Sequence, residues 1–242
     1  MEALNNKVVL VVGGSTGIGL GIARAMAAEG ARVVIAARTE MTLQAAVEQA
    51  GVPLTAKTCD VSDRAQVNEL MAWTEREAGP IEILVFCAGV NSPRRSFADL
   101  DPEDFDRIMA INAGGAFNCF HAVLPAMRTR KDGLIINVVS LSGLRTFPLG
   151  GVPYSASKYA QASLGSMANL EALPDGVRVT NLFPGETNTP ILDRRPVPVS
   201  EERKAQCVQP EDIAAIAVAI AKLPPRANVP EIVITPPHTP LQ

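Results

Sequence analysis

Short apolar, β-branched runs alternate along the whole chain with longer stretches of helical spacing, and this alternation limits the fold more than any other feature. The runs are KVVLVV (7–12), ARVVIAA (31–37), VPLTAK (52–57), IEILVFCA (81–88), GLIINVVS (133–140), VRVTNLF (177–183) and EIVIT (231–235). The helical stretches cover 19–29, 41–49, 64–78, 102–130, 154–172 and 210–223. Strand then helix, repeated, is the pattern of βαβ units and a parallel sheet. Several runs are apolar along their full length, as strands are when helices cover both faces of the sheet. No linker or repeat interrupts the pattern, so the expectation is an α/β fold, one doubly wound parallel domain of about seven strands over residues 1–242. The stretch 186–209, rich in proline and charge, reads as a long substrate-binding loop with one short helix. The tail PPHTPLQ cannot form an internal strand.

Composition removes several functional classes. With 22 Lys+Arg against 25 Asp+Glu the net charge is -3, which gives no electrostatic basis for nucleic-acid or membrane partners. The apolar run IAAIAVAIA (213–221) is far shorter than a bilayer span. The opening MEALNNKVVL lacks the basic, apolar and cleavage regions of a secretory signal, so a cytoplasmic location is expected. Cys59, Cys87, Cys119 and Cys207 are scattered without a C-x-x-C pair, and His121 and His238 have no ligand spacing, so neither disulfides nor a metal is expected.

Directly after the first run, VVGGSTGIG places Gly13, Gly17 and Gly19 in a G-x-x-x-G-x-G spacing that opens a helix, with Ser15, Thr16 and Ile18 between them. Such a loop turns sharply and lets backbone N–H groups at the helix N-terminus meet a pyrophosphate, although an ordinary tight turn has the same composition. At the end of the second run an acid would bind the ribose hydroxyls of NAD. The chain instead reads Ala37, Arg38, Thr39, and a guanidinium suits a 2′-phosphate that a carboxylate would repel, so NADP(H) is the expected cofactor. In PYSASKYA (153–160), Tyr154 and Lys158 stack on one helix face. They are either a chance pair on a solvated surface or an ammonium placed to acidify a phenol.

GGSTGIG, CDV (59–61), CAG (87–89), Asn112, Ser140, YSASK and FPGETNTP, in that order and spacing, resemble the short-chain dehydrogenase/reductase family over 7–235. The resemblance implies a Rossmann fold and an oxidoreductase that interconverts a carbonyl and a secondary alcohol on a small molecule. It implies that Tyr154 is the general acid/base, that Lys158 lowers its pKa and holds the nicotinamide ribose, that Ser140 polarises the carbonyl, and that Asn112 supports a water path to Lys158. Taking a phenol from about 10 to neutrality needs roughly 4 kcal/mol. Ser142 is the rival to Ser140. The adenine is expected beside Asp60 and Val61, and the nicotinamide beside Ala88, Gly89, Pro184, Gly185, Thr187 and Thr189. The family's dimers and tetramers imply a homodimer or homotetramer through the helices carrying Asn112 and Tyr154.

Two departures stand out. Val12 replaces the usual threonine, and Phe86-Cys87 replace the usual asparagine pair, so a polar tie between strand ends gives way to apolar packing, with Cys87 expected to be an inert thiol. Arg94, Arg95, Arg145, Arg194 and Arg195 all follow strand ends and raise an acidic substrate. A β-ketoacyl carrier-protein reductase, receiving its carrier on Arg128, Arg130 and Lys131, is the alternative enzyme, with Asp175 against it. A non-catalytic NADPH sensor is the alternative of another class, and it has no need of the full set Asn112, Ser140, Tyr154 and Lys158.

Overall fold

A strand whose residues are all apolar needs cover on both faces, and β1 (Val8–Val12) obtains it: none of its residues is more than 3% exposed. In the computed structural model, which describes residues 4–195 and 199–237, β1 leads into α1 (Gly17–Ala28), β2 (Arg32–Ala37) into α2 (Glu40–Gln49) and β3 (Thr55–Thr58) into α3 (Arg64–Glu77). β4 (Ile83–Phe86) is followed by α4 (Pro102–Met109) and α5 (Gly115–Arg130), and β5 (Gly133–Val138) by α6 (Val152–Ala172). β6 (Val177–Pro184) is followed by α7 (Glu201–Gln206) and α8 (Pro210–Ala221), and β7 (Glu231–Ile234) completes the sheet. The strands form a Rossmann-like parallel sheet in the order β3-β2-β1-β4-β5-β6-β7. The order reverses between β1 and β4, which opens a crevice at their carboxyl ends.

Alternate side chains of β1 enter two separate cores. Val8, Leu10 and Val12 pack with α3, α5 and α6, through residues such as Leu70, Phe120 and Ala168. Val9 and Val11 pack with α1, α2 and α8, through Ile22, Leu43 and Ile213. Each such side chain, fully buried, contributes about 1.5–3 kcal/mol. The replaced polar tie sits in the first of these cores: Val12, Val61 and Phe86 share it with Phe120, whose ring meets Phe86 edge-on at 6.1 Å between centroids.

The seven runs all become strands, with differences at their ends and in two helices. The stretch 102–130 is broken by a π-helical turn at Ala110–Gly114, so Asn112 lies in a turn with irregular hydrogen bonding rather than in a regular helix. By length and apolar composition Pro102–Arg130 passes as a membrane span, unlike the shorter Ile213–Ala221. Its apolar residues Cys119, Phe120, Val123 and Met127 are buried in the core. The loop 186–209 contains two short helices where one was expected, a 3-10 turn at Pro190–Arg194 and α7. Its ends are latched by Val208 N–H donating to Glu186 O and Asn188 N–H donating to Val208 O. Residues 196–198, the Arg194 side chain, and His238 with the tail after Pro237 lie outside the described residues.

Replacing Phe86 with Ala removes a fully buried ring from the floor of the crevice. The expected loss is about 3–5 kcal/mol, read as a lower urea midpoint with an unchanged slope.

Candidate active site

The loop between β1 and α1 is built for close approach. Gly13 has φ +82°, and a Cβ there would lie 2.6 Å from the Ala88 nitrogen; a Cβ on Gly19 would lie 2.1 Å from the Gly13 oxygen. Gly13 and Gly14 N–H groups donate to Ala36 O, which ties the loop to β2. Thr16 caps α1 without a side-chain hydrogen bond, and the first turn carries no acid. The helix therefore presents N–H groups and positive dipole to the crevice, which fits a pyrophosphate. Thr189 stands over the same loop, its methyl 3.0 Å from where a Cβ on Gly17 would be.

A cleft of about 700 Å³ extends from this loop, and all the expected cofactor residues line it, from Ser15, Thr16 and Ile18 through Val61, Ala88 and Gly89 to Pro184, Gly185, Thr187 and Thr189. At one end Arg38 is exposed and, among the described residues, makes no hydrogen bond or ion pair. Its neighbour in the strand is Ala37, so no carboxylate competes for it there. Asp60 spends one carboxylate oxygen on the Ser62 N–H and hydroxyl.

At the other end stand Ser140, Tyr154 and Lys158. Tyr154 is half-buried. Burial pushes its phenol above the usual value, and Cys87 adds to this, while a hydrogen bond with Ser140 and the charge of Arg95 oppose it. Lys158 is not among the groups that act on the phenol: its ammonium lies 5.6 Å from the ring centroid and donates to Gln161. Ser140 rather than Ser142 acts on the phenol, and the Ser142 N–H donates to Ser140 Oγ at 3.1 Å. Cys87, on the cleft wall, is pushed up to about 12 by burial and is an inert thiol at ordinary pH.

Lys158 is 3% exposed, and burial lowers its pKa to about 8. Its Nζ donates to Gln161 Oε1 at 2.6 Å and more weakly to Val138 O at 3.4 Å. Gln161 cannot turn its amide, because Nε2 donates to Asn137 Oδ1 and Val138 O. Asn137 in turn donates to Asn181 Oδ1, and Asn181 to Ala162 O and Ser166 Oγ. Sequence reasoning missed this chain of amides; the one available signal was Asn137 and Asn181 interrupting otherwise apolar strands.

Asn112, fully buried, does not line the cleft. Its Oδ1 accepts from Val90 N–H, and its Nδ2 donates to Val90 O and Ser157 Oγ, which itself donates to the Tyr154 carbonyl. Its side chain thus fixes the loop after β4 to the first turn of α6, and has no hydrogen bond to Lys158. Of the loop arginines, Arg95 and Arg195 reach the cleft, while Arg94 and Arg145 do not. Burial raises Glu186, but hydrogen bonds from Arg195 and Arg203 outweigh it and hold the carboxyl below its usual range. Arg203 and Glu186 were not expected as site residues.

A model of the short chain dehydrogenase family matches residues 7–197. Glycine betaine reductase of Emericella nidulans is 34% identical over 246 residues, covering 98% of this chain and 19% of that protein, so the chain spans about a fifth of that relative's length. D-beta-hydroxybutyrate dehydrogenase of Cupriavidus necator is 30% identical over 238 residues, 90% of this chain and 92% of the other. The crystal structure of actinorhodin polyketide ketoreductase with NADPH superposes with a TM-score of 0.85 at 29% identity, over 95% of this chain and 96% of that one.

Between about pH 8 and 10.5 the unfolded lysine at 158 binds a proton that the folded one does not, so this group makes stability rise with pH across that window. Below it, the buried ammonium costs about 3 kcal/mol. Chemical unfolding of Lys158→Met beside the parent isolates the effect. The parent is expected to gain on the variant by up to about 3 kcal/mol from pH 8 to 10.5; a constant difference would contradict the lowered value.

Proposed function

Because the chain belongs to the short-chain dehydrogenase family, whose members compared above are reductases and dehydrogenases, we propose that this oxidoreductase uses NADP(H) to interconvert a carbonyl and a secondary alcohol on a small molecule. The observation that carries the reading is that Ser140, Tyr154 and a buried Lys158 line one wall of the cleft that also carries the glycine loop.

NADP(H), when bound, supplies or accepts the hydride. Gly13, Gly17, Gly19 and the α1 N-terminus would hold its pyrophosphate, and Arg38 its 2′-phosphate; Asp60 and Val61 would flank the adenine, and Thr187 and Thr189 the nicotinamide end. Ser140 Oγ orients the carbonyl oxygen, and Tyr154 Oη gives it a proton. A phenol held above its usual pKa is fully protonated at neutral pH, the form that reduction requires. In the reverse direction the phenolate is needed, which the Ser140 hydroxyl and the charge of Arg95 favour. Asn112 positions Tyr154 through Ser157.

Against the carrier-protein reading, two of its three cations are engaged within the chain: Arg128 pairs with Asp175 at 2.6 Å and Arg130 donates to Ile81 O at 2.7 Å. A non-catalytic sensor has no need of Ser140, Tyr154 and Lys158 together on one cleft wall. Phe117 on α5 and Tyr159, Met167 and Leu170 on α6 are exposed apolar side chains, and they support assembly as a homodimer or homotetramer through these helices. Four free cysteines suit a reducing compartment, in keeping with a cytoplasmic location.

Purified protein is expected to oxidise NADPH with one or more members of a panel of ketones, aldehydes and diketones. Tyr154→Phe is expected to lower kcat by about 10²–10⁴-fold while NADPH binding is kept; unchanged turnover would remove Tyr154 as the acid. Arg38→Ala is expected to weaken NADPH binding about 10–100-fold, the loss of one charge-assisted contact, and to leave NADH unchanged. Equal losses for both would remove the 2′-phosphate contact.

A further inference from the structure

The proton chemistry leaves one end of the cleft unused. There the wall is formed by Asn91, Arg95, Leu149, Leu192 and Arg195 beside Tyr154, with Glu186 and Arg203 completing it. Arg95 is only 8% exposed, an unusual place for a guanidinium. Burial lowers its pKa, and the like charge of Arg195 adds to this, while Tyr154 opposes it.

Arg95 is placed by the turn that launches the helix bearing Tyr154. Its carbonyl accepts from Val152 N–H at 2.8 Å, and its Nη1 donates to Leu149 O at 2.8 Å. Gly151, at φ +76°, leaves room for it, since a Cβ there would lie 2.5 Å from the Arg95 Cβ. The guanidinium and the catalytic phenol therefore share one rigid mount. Arg195 is anchored from the other side by Glu186, which Arg203 also engages. Arg195 and Arg203 both engage Glu186, and the like charge of Arg195 acts on Arg95, so an anion between Arg95 and Arg195 would be attracted by both guanidinium groups. Leu149 and Leu192 supply apolar wall for a short carbon chain.

We infer that this corner holds a carboxylate, so that the substrate is a short keto acid or its hydroxy acid, with the carboxylate on Arg95 and Arg195 and the carbonyl at Ser140 and Tyr154. The inference rests on the reductase reading above. In the reduction the carbonyl carbon gains the hydride of NADPH, its oxygen gains the Tyr154 proton, water reprotonates the phenolate, and NADP leaves oxidised.

The test compares kcat/KM for pyruvate, acetoacetate and levulinate with that for their methyl esters, using NADPH. The parent is expected to favour at least one acid over its ester by 10-fold or more. Arg95→Gln and Arg195→Gln are each expected to raise KM for that acid about 10–100-fold and to lower kcat/KM for the ester at least 10-fold less than for the acid. Arg95→Lys, which keeps the charge, is expected to recover part of the acid preference. Valerate, a carboxylate without the carbonyl, is expected to inhibit the parent competitively and the Gln variants about 10-fold less. Should Arg95→Gln fail to fold, Arg195→Gln reads the same pair. Ester turnover equal to or above acid turnover in the parent, or equal losses on both in the variants, overturns the carboxylate corner alone. Absence of turnover with every carbonyl, acid or neutral, overturns the reductase reading and this inference with it.

Discussion

An ammonium buried at the carboxyl end of β5 is the constraint around which the site is arranged. Lys158 is almost wholly removed from water, and that costs stability unless an acceptor meets its protons. Gln161 meets one of them, and it does so in a fixed sense because Asn137 and Val138 O occupy its amide nitrogen. The polarity of the amide chain is set throughout: Asn137 donates to Asn181, and Asn181 donates to Ala162 O and Ser166. A network whose side-chain amides are all hydrogen-bonded holds its parts in one arrangement, whereas a half-satisfied one would destabilise the core. The position of the ammonium beside Tyr154 is thus inherited from β5, β6 and α6 together.

The sheet supplies the rest of the geometry by its connectivity. Reversal of strand order between β1 and β4 opens the crevice, and the chain lines it with a glycine loop on one side and Cys87, Ala88 and Gly89 on the other. Beneath it, Val12, Val61, Phe86 and Phe120 form an apolar floor. Burial of Phe86 and its edge-on contact with Phe120 do the work of a polar cross-tie, and their rigidity comes from packing rather than from hydrogen bonds.

Much of this was legible in the sequence because it depends on local patterns. The β-branched runs gave seven strands, since period and apolar length are read directly from residue type. The glycine loop and the Tyr154–Lys158 spacing were legible for the same reason. Three features were not. The π turn at Asn112 depends on side-chain contacts with Val90 and Ser157, which are distant in the chain. The Gln161 contact joins a helix to β5 and, through Asn137, to β6, and a glutamine three residues after a lysine has no meaning until those strands are placed. The state of Tyr154 required knowing how much water the fold removes, and burial outweighed the acidification that spacing alone suggested. The arginines illustrate the same limit: five follow strand ends, and topology selected Arg95 and Arg195 for the cleft.

The central claim is that hydride moves between nicotinamide and a carbonyl while Tyr154 supplies the proton. The most direct measurement is a single turnover with NADPH deuterated at the transferring position of C4, followed by mass analysis of the alcohol product from the parent and from Tyr154→Phe. The account predicts one deuterium on the new carbinol carbon from the parent and little or no labelled product from the variant in the same time. NADPH that binds but transfers no deuterium to any carbonyl, or equal labelling by both proteins, would contradict it.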